Sequence, residues 1–388
     1  MSLTFEIKAK SQENLARVGR VTTPHGSFDT PAFMPVGTQA TIKGLTSEMV
    51  EASGAQIILA NTYHLMLRPG RELVANMGGL HKWMRWPQSI LTDSGGYQVF
   101  SLSDINEVHE EGVRFRSHVD GRLIDLTPGQ SIEVQNKLGA DIIMAFDDCP
   151  PAQADWSSPN KGSKENLSDQ EYRTRVLQAC QRSVRWLDQC VTAHKRKADQ
   201  ALFGIIHGGP DLDLRKWCLE RLCQHDLPGF AIGGVSVGEG FTEHQKVVQF
   251  TAPRLPADRP RYLMGVGYER DILFAVSAGV DMFDCVLPTR NGRNANAFTP
   301  TGQIRLRNRQ YAQDGRPIDA ACDCLACAKG YSRSYLRHLF AVGEMLGPIL
   351  VSNHNLRHFQ RFLLDIRRTI AENDVSSISQ RWPIVEGH

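Results

Sequence analysis

The chain has 388 residues, 41% of them apolar, and a formal net charge of only +2. That is enough for one large barrel or two ordinary domains around a sizeable core, and bulk charge gives no sign of a polyanion partner. With no run of about eighteen apolar residues and no apolar core in the opening MSLTFEIKAKSQENLARVGR, neither a membrane span nor a secretory signal is expected, which points to a cytoplasmic protein.

Eight short apolar runs follow one another, each closed by Gly, Pro or a polar residue. They are PAFMPVGT from Pro31, QIILANTY from Gln56, SILTDSGG from Ser89, ADIIMAFDD from Ala140, ALFGIIHGG from Ala201, GFAIGGVSVGE from Gly229, RYLMGVG from Arg261 and VDMFDC from Val280. Near-continuous apolar runs of this length suit strands buried on both faces of a parallel sheet. Helical patterns lie between most of them. Thr46 to Ala52 opens on a Thr cap with Glu48 in its first turn. Ser168 to Lys195 carries Val176, Leu177, Cys180, Val184 and Leu187 on one face; Asp211 to Cys223 and Tyr268 to Ala278 repeat the pattern. Eight strands alternating with helices predict an α/β protein, a (β/α)8 TIM barrel spanning 1–388. An open doubly wound sheet competes, but no GxGxxG follows a first strand. Two insertions interrupt the alternation. Val113 to Leu126 alternates around Asp120-Gly121 as a hairpin does. Cys149 to Asn166, rich in Pro, Ser and Lys, follows a strand end as a lid-like loop would.

In such a barrel chemistry sits at the C-terminal strand ends. Three runs deliver carboxylates there: Asp93, the pair Asp147 and Asp148, and Asp284. A lone Asp is more often a cap or loop anchor. Several on one rim perturb each other's pKa and permit separate acid and nucleophile roles, as in glycosidic bond cleavage. Asp93 leads into Ser94-Gly95-Gly96-Tyr97, where bare backbone lets a ligand approach and Tyr97 can stack on a planar ring. Gly233-Gly234 offers a second such platform. In GVDMFDCVLPTRNGR, Asp284 closes a strand, Pro288 bars further strand or helix pairing, and Arg290 and Arg293 follow on the emerging loop.

Six of the nine cysteines are scattered, which fits reduced thiols rather than a disulfide framework. Cys322, Cys324 and Cys327 instead form CxCxxC, and with one imidazole they are expected to complete a closed, structural tetrahedral zinc shell, a redox thiol cluster being the alternative. His338, His354 and His358 are all within reach by spacing. A zinc-binding subdomain over 301–358 is expected within the barrel chain. It presents a stripe of six arginines from Arg290 to Arg316 against the single acid Asp314, the footprint of a phosphate backbone or merely a solvated cationic face.

Together LTDSGGYQVFSL, MAFDDC, FAIGGVSVGEG, YLMGVG, DMFDCVLPTRNGR and CxCxxC with a downstream His resemble the tRNA-guanine transglycosylases, in that family's order and from about Gly19 to about Arg368. The resemblance implies exchange of guanine at the wobble position of G-U-N anticodon tRNAs for a 7-deazaguanine, preQ1, in queuosine biosynthesis. Asp284 is then the nucleophile on ribose C1′ and Asp93 the general acid and base. Asp147, His207, Gly234, Val235, Tyr97, Met264 and Glu239 surround the base. Arg290 and Arg293 contact the anticodon loop of tRNA. Cys322, Cys324, Cys327 and His354 hold one structural Zn2+ per subunit of a homodimer.

The chain departs from the family at His207, where Gln is usual, so exchange is expected to depend on pH near about 6.5. Val235-Ser236 replaces Leu-Ala, and the 149–166 insertion is long for a bacterial member. LPGFAIGG and RYLMGVGYERD look closer to the eukaryotic, queuine-inserting subunit, whereas Cys149 and Val237 are the bacterial pocket residues. A queuine-inserting enzyme and a DNA-modifying 7-deazaguanine transglycosylase are the alternatives. A non-catalytic partner subunit is disfavoured by the presence of both Asp93 and Asp284, and an archaeal type by the lack of extra RNA-binding domains.

Overall fold

The eight apolar runs become the eight strands of a closed parallel barrel. A computed structural model of the chain describes residues 2–102, 106–150, 168–235 and 240–386. In chain order the barrel strands are β4 (Ala32–Gly37), β5 (Ile57–Ala60), β6 (Ser89–Thr92), β10 (Ile142–Met144), β11 (Ala201–Ile206), β12 (Gly229–Ile232), β13 (Arg261–Leu263) and β14 (Met282–Cys285), and β14 pairs back onto β4. Closure settles the architecture for the barrel over the open sheet.

Alternation along each strand divides the apolar side chains into two cores. Met34, Ile57, Leu59, Leu91, Ile142, Met144, Phe203, Ile205, Tyr262 and Met282 fill the lumen. Ile58, Ile90, Ile143, Leu202, Ile206, Leu263 and Phe283 face the surrounding helices. Three antiparallel strands precede the barrel, β1 (Thr4–Lys10), β2 (Arg17–Thr23) and β3 (Gly26–Thr30). Val21 and Phe28 of this sheet join the lumen core, so it stoppers the N-terminal end of the barrel. A buried pair locks that end: Arg17 donates to both oxygens of Asp281, at 2.9 and 2.6 Å, and the Arg261 amide adds a third bond at 2.7 Å.

The expected helices form, the first with its expected Thr46 cap. Thr46 caps Ser47–Ala52, Ser168 closes a capping box on Asp169–Ala193, and Asp211 caps Leu212–Leu222. The Val113–Leu126 pattern is a hairpin of β8 (Gly112–Arg116) and β9 (Leu123–Leu126), with β7 (Asn106–His109) alongside; its connection is six residues, Ser117–Arg122, rather than a tight turn. The proposed lid falls, beyond Pro150, outside the described residues.

One local expectation is corrected. Pro288 does not bar a helix: Leu287–Arg293 is helical with Pro288 in its first turn, where the missing N–H would have had no intrahelical partner. Arg290 and Arg293 therefore sit on a helix, not a loop. That helix packs on the long Leu346–Glu372 helix, and Gly292 approaches Ser352 so closely that an added Cβ would lie 2.7 Å from its backbone. Beyond it a hairpin, β15 (Asn296–Thr299) and β16 (Gly302–Arg305), and helices Leu325–Ala328 and Arg333–Val342 enclose a separate small core with Ile304, Leu306, Ile318, Leu336, Leu339 and Leu350. Among the described residues no helix is long and apolar enough to cross a membrane.

Candidate active site and cysteine cluster

Strand parity explains which carboxylates enter the lumen. Met282 points inward and Phe283 outward, so Asp284 points inward at the C-terminal end of β14; Leu91 inward and Thr92 outward do the same for Asp93. Asp284 Oδ1 accepts from the Tyr262 hydroxyl at 2.6 Å and from the Gly265 amide at 2.8 Å. No donor among the described residues reaches Oδ2. Burial raises the Asp284 pKa, and those two bonds oppose the rise. Asp93 Oδ1 accepts from the Thr62 amide at 2.7 Å and Oδ2 from Asn61 Nδ2 at 2.5 Å. Burial is the main cause that pushes Asp93 up to about 7; the charges of Asp284 and Asp147 add to it, and the Asn61 and Thr62 bonds work against it. The lumen thus holds a carboxyl that carries its proton near neutrality within electrostatic reach of one with a free oxygen.

Asp147 and Asp148, adjacent in sequence, part company. Asp147 Oδ1 accepts from the Ser94 hydroxyl and Oδ2 meets His207 Nε2, both at 2.8 Å. Asp148 is fully buried and clamped by Arg175 at 2.7 and 2.9 Å and by Arg182 at 2.5 Å. Its role is to tie the Asp169–Ala193 helix to the strand end, and it leaves the list of rim candidates. Gly96 is required beside Asp147, since a Cβ there would lie 2.8 Å from the Asp147 carbonyl oxygen.

His207, just past β11, packs its ring on the Gly233–Gly234 turn, whose Gly234 takes φ +62. Val235 follows, buried; Tyr97 is exposed and Met264 half-buried at the same end of the barrel. Glu239 lies outside the described residues. Arg290 is exposed, whereas Arg293 is half-buried with a buried Nη1 that has no hydrogen-bond partner among the described residues. Burial first, then the Arg290 charge, lowers its pKa.

Four supporting residues escaped sequence reasoning. Asn61 and Thr62 end the run QIILANTY, and Tyr262 sits inside RYLMGVG; the same signal that marked Asp93, a polar residue closing an apolar run, was there for the first two. Arg215 is the fourth. Its buried guanidinium donates to the carbonyls of Gly209 at 2.7 Å and of Gly233 and Gly234 at 3.1 Å each. A buried position on the apolar face of Leu212–Leu222 was its only mark.

At the other pole, Cys322, Cys324, Cys327 and His354 are buried, with donor atoms all within 4.8 Å of one another. His354 Nδ1 is 3.3 Å from Cys324 Sγ and 3.4 Å from Cys327 Sγ, and Nε2 lies 2.8 Å from the Phe298 carbonyl oxygen. A carbonyl accepts only, so Nε2 carries the hydrogen and Nδ1 turns its lone pair on the thiols, the tautomer a metal ligand needs. His338 is exposed, and His358 is taken by Glu269 at 2.6 Å. The donor set is therefore Cys322, Cys324, Cys327 and His354, and it can hold a metal ion.

A family model described as "Queuine tRNA-ribosyltransferase" matches residues 11–383. Proteins of that name resemble the chain over nearly all of both lengths. One from Bacillus pumilus is 46% identical over 382 residues, 98% of this chain and 96% of its own. One from Halothermothrix orenii is 49% identical over 373 residues, 96% of this chain and 95% of its own. One from Herpetosiphon aurantiacus is 49% identical over 378 residues, 97% and 92%.

Proposed function

The chain belongs to the queuine tRNA-ribosyltransferase family, and from that premise we propose that it exchanges the wobble guanine of G-U-N anticodon tRNAs for preQ1 by double displacement. Asp284 Oδ2 attacks ribose C1′ as the bond to guanine N9 breaks, and Asp93 gives its proton to the departing base. N9 of the incoming base then attacks C1′, Asp93 takes its proton, and Asp284 leaves as a carboxylate. Two inversions at one carbon retain configuration.

A single observation carries this reading: Asp284 has one oxygen pinned by Tyr262 and Gly265 and the other open, with Asp93, pushed up to about 7, in the same lumen. A nucleophile needs the first and a general acid at neutral pH the second.

The other roles follow the family pattern. Asp147 reads the ring N–H groups of the base, Tyr97 and Met264 cover its faces, and the Gly234 amide and Val235 carbonyl meet its carbonyl and 7-substituent, with Glu239 behind that segment. His207, bonded to Asp147, orients that carboxylate. Arg290 and Arg293 take anticodon phosphates; the buried Arg293 Nη1, without a hydrogen-bond partner among the described residues, is what such an anion would satisfy. Exposed Arg305, Arg307 and Arg309 extend the cationic surface. Zinc, when bound by Cys322, Cys324, Cys327 and His354, fixes the proposed 301–358 subdomain and does no chemistry. Exposed Tyr335, Val342, Met345 and Leu346 on that subdomain suit a homodimer contact. The cytoplasm, where tRNA is processed, is the compartment that fits.

Incorporation of labelled guanine into bulk tRNA, competed in turn by preQ1 and queuine, tests the proposal. Competition by preQ1 is expected. Competition by queuine alone would move the enzyme to eukaryotic-like specificity, and labelling of DNA instead of tRNA would move it to the DNA-modifying class.

A further inference from the structure

Asp147, Cys149 and His207 bring a carboxylate oxygen, a thiol sulfur and a ring nitrogen within 4.8 Å of one another, all on buried side chains. The first two come from the end of β10 and the third from the end of its neighbour β11. The nearby charges favour a cation. Asp93 shares the lumen with Asp147 and Asp284, close enough for both of their charges to bear on it. Arg175 and Arg182 are paired with Asp148; Arg215 donates to the carbonyls of Gly209, Gly233 and Gly234 and keeps its charge, which reaches Cys149 and favours the thiolate a cation would need. Mixed S, N and O donors select ions of the zinc class, and three protein donors leave one position open.

A second trio, His25, His81 and Asp141, fails the same test. Its imidazoles lie stacked, 3.5 Å between centroids and 13° between planes, so their in-plane lone pairs cannot converge on one ion. Asp147, Cys149 and His207 include a single ring and carry no such conflict.

We propose that the pocket assigned above to the base also takes one thiophilic divalent cation, held by Asp147, Cys149 and His207, and that cation and base exclude each other. The exclusion rests on the base-pocket reading, because Asp147 and His207 serve both ligands. Binding converts the Cys149 thiol to a thiolate and releases its proton to solvent, so occupancy rises with pH.

The test is equilibrium dialysis of the protein, its four-ligand cluster loaded, against Zn2+, with metal counted per chain. Two equivalents are expected in the wild type, one with saturating guanine, and one in Cys149→Ser and in His207→Gln. Retention of the first equivalent reports that each variant is folded. In the exchange assay Zn2+ should raise the KM for guanine and leave kcat unchanged, with its inhibition constant about 10–100-fold weaker in His207→Gln. One equivalent in the wild type, a second that survives both substitutions, or a second indifferent to guanine overturns the proposal. Exchange without added metal stands apart: if it fails, the transglycosylase reading falls, and if it runs while no second zinc binds, only the cation site falls.

Discussion

The Tyr262 hydroxyl and the Gly265 amide converge on the same oxygen of Asp284, at 2.6 and 2.8 Å, and so leave the other as the oxygen assigned to the attack on ribose. Burial, with the Asp284 charge, holds the Tyr262 pKa well above 10, so the hydroxyl remains a donor throughout the working range. A hydrogen bond to a charged group contributes about 1.5–3 kcal/mol, so Tyr262→Phe should slow covalent adduct formation roughly ten- to a hundredfold. Affinity for tRNA should stay as it was. Rapid-quench measurement of the adduct separates the two, and an unchanged rate would show that pinning Oδ1 does not matter.

Asp284→Asn removes the proposed nucleophile but keeps the shape. The denaturant-resistant enzyme–RNA adduct should vanish, and guanine exchange should fall by a factor on the order of 10⁴. A denaturing gel decides it: an adduct that persists in this variant places the nucleophile elsewhere.

The barrel was readable because its strands are buried on both faces, which makes each a continuous apolar run. Asp93 and Asp284 were readable because each interrupts or ends such a run. The groups that tune them were not. Asn61 and Thr62, polar residues just past β5, carry the same local mark as Asp93, but no local pattern links them to it across 32 and 31 residues. Arg215 stands on the apolar face of its helix, but nothing in the sequence says that the Gly233–Gly234 turn folds over it. Pro288 carries opposite meanings within and at the start of a helix, and the sequence does not say which applies. CxCxxC exposed the cysteine cluster, but spacing alone left three histidines open; the Phe298 carbonyl, which sets the tautomer of His354, lies 56 residues away. The three strands before the barrel went unnoticed because β1 is half exposed along its whole length and has no continuous apolar run.

The pH dependence of the first chemical step follows from Asp93. Its carboxyl rises from an ordinary 3.8 to about 7, chiefly by burial. In the proposed mechanism guanine departs with the proton of Asp93, so single-turnover adduct formation should fall as pH rises through about 7. Asn61→Ala deletes a bond that favours the carboxylate and should move that limb to higher pH. Stability carries the same sign: the folded state holds this proton more tightly, so the contribution is complete below 3.8 and is lost as pH rises through about 7. Asp93→Asn should flatten that part of the urea midpoint profile. A limb that stays put in Asn61→Ala would assign the titration to another group.

Removing the metal should cost structure before chemistry. The four ligands come from the loop before Leu325–Ala328, that helix itself and the long Leu346–Glu372 helix, and Cys322, Cys324 and Cys327 are part of the small core. Chelation should therefore lower the melting temperature and raise amide exchange through the hairpin and Arg333–Val342, with activity lost in proportion. A chelated protein that keeps its melting temperature yet loses exchange activity would mark the ion as catalytic.

Arg215 offers the sharpest separation of architecture from function. Its planar fork reaches carbonyls on two turns, Gly209 on one side and Gly233 and Gly234 on the other, at 2.7 to 3.1 Å. Lysine keeps the charge but presents its donors from a single nitrogen and cannot span both turns. Each stranded buried carbonyl costs about 1–3 kcal/mol, so Arg215→Lys should lower stability by a few kcal/mol. It also frees the turn whose Gly234 amide is assigned to the base, and a donor that must be ordered on binding binds more weakly. The KM for guanine should rise about tenfold while the KM for tRNA, whose contacts are assigned to Arg290 and Arg293, stays within about twofold. Thermal melting and the two KM values, measured on one preparation, distinguish the cases: a lower melting temperature with both KM values unchanged would make Arg215 a strut of the barrel and nothing more.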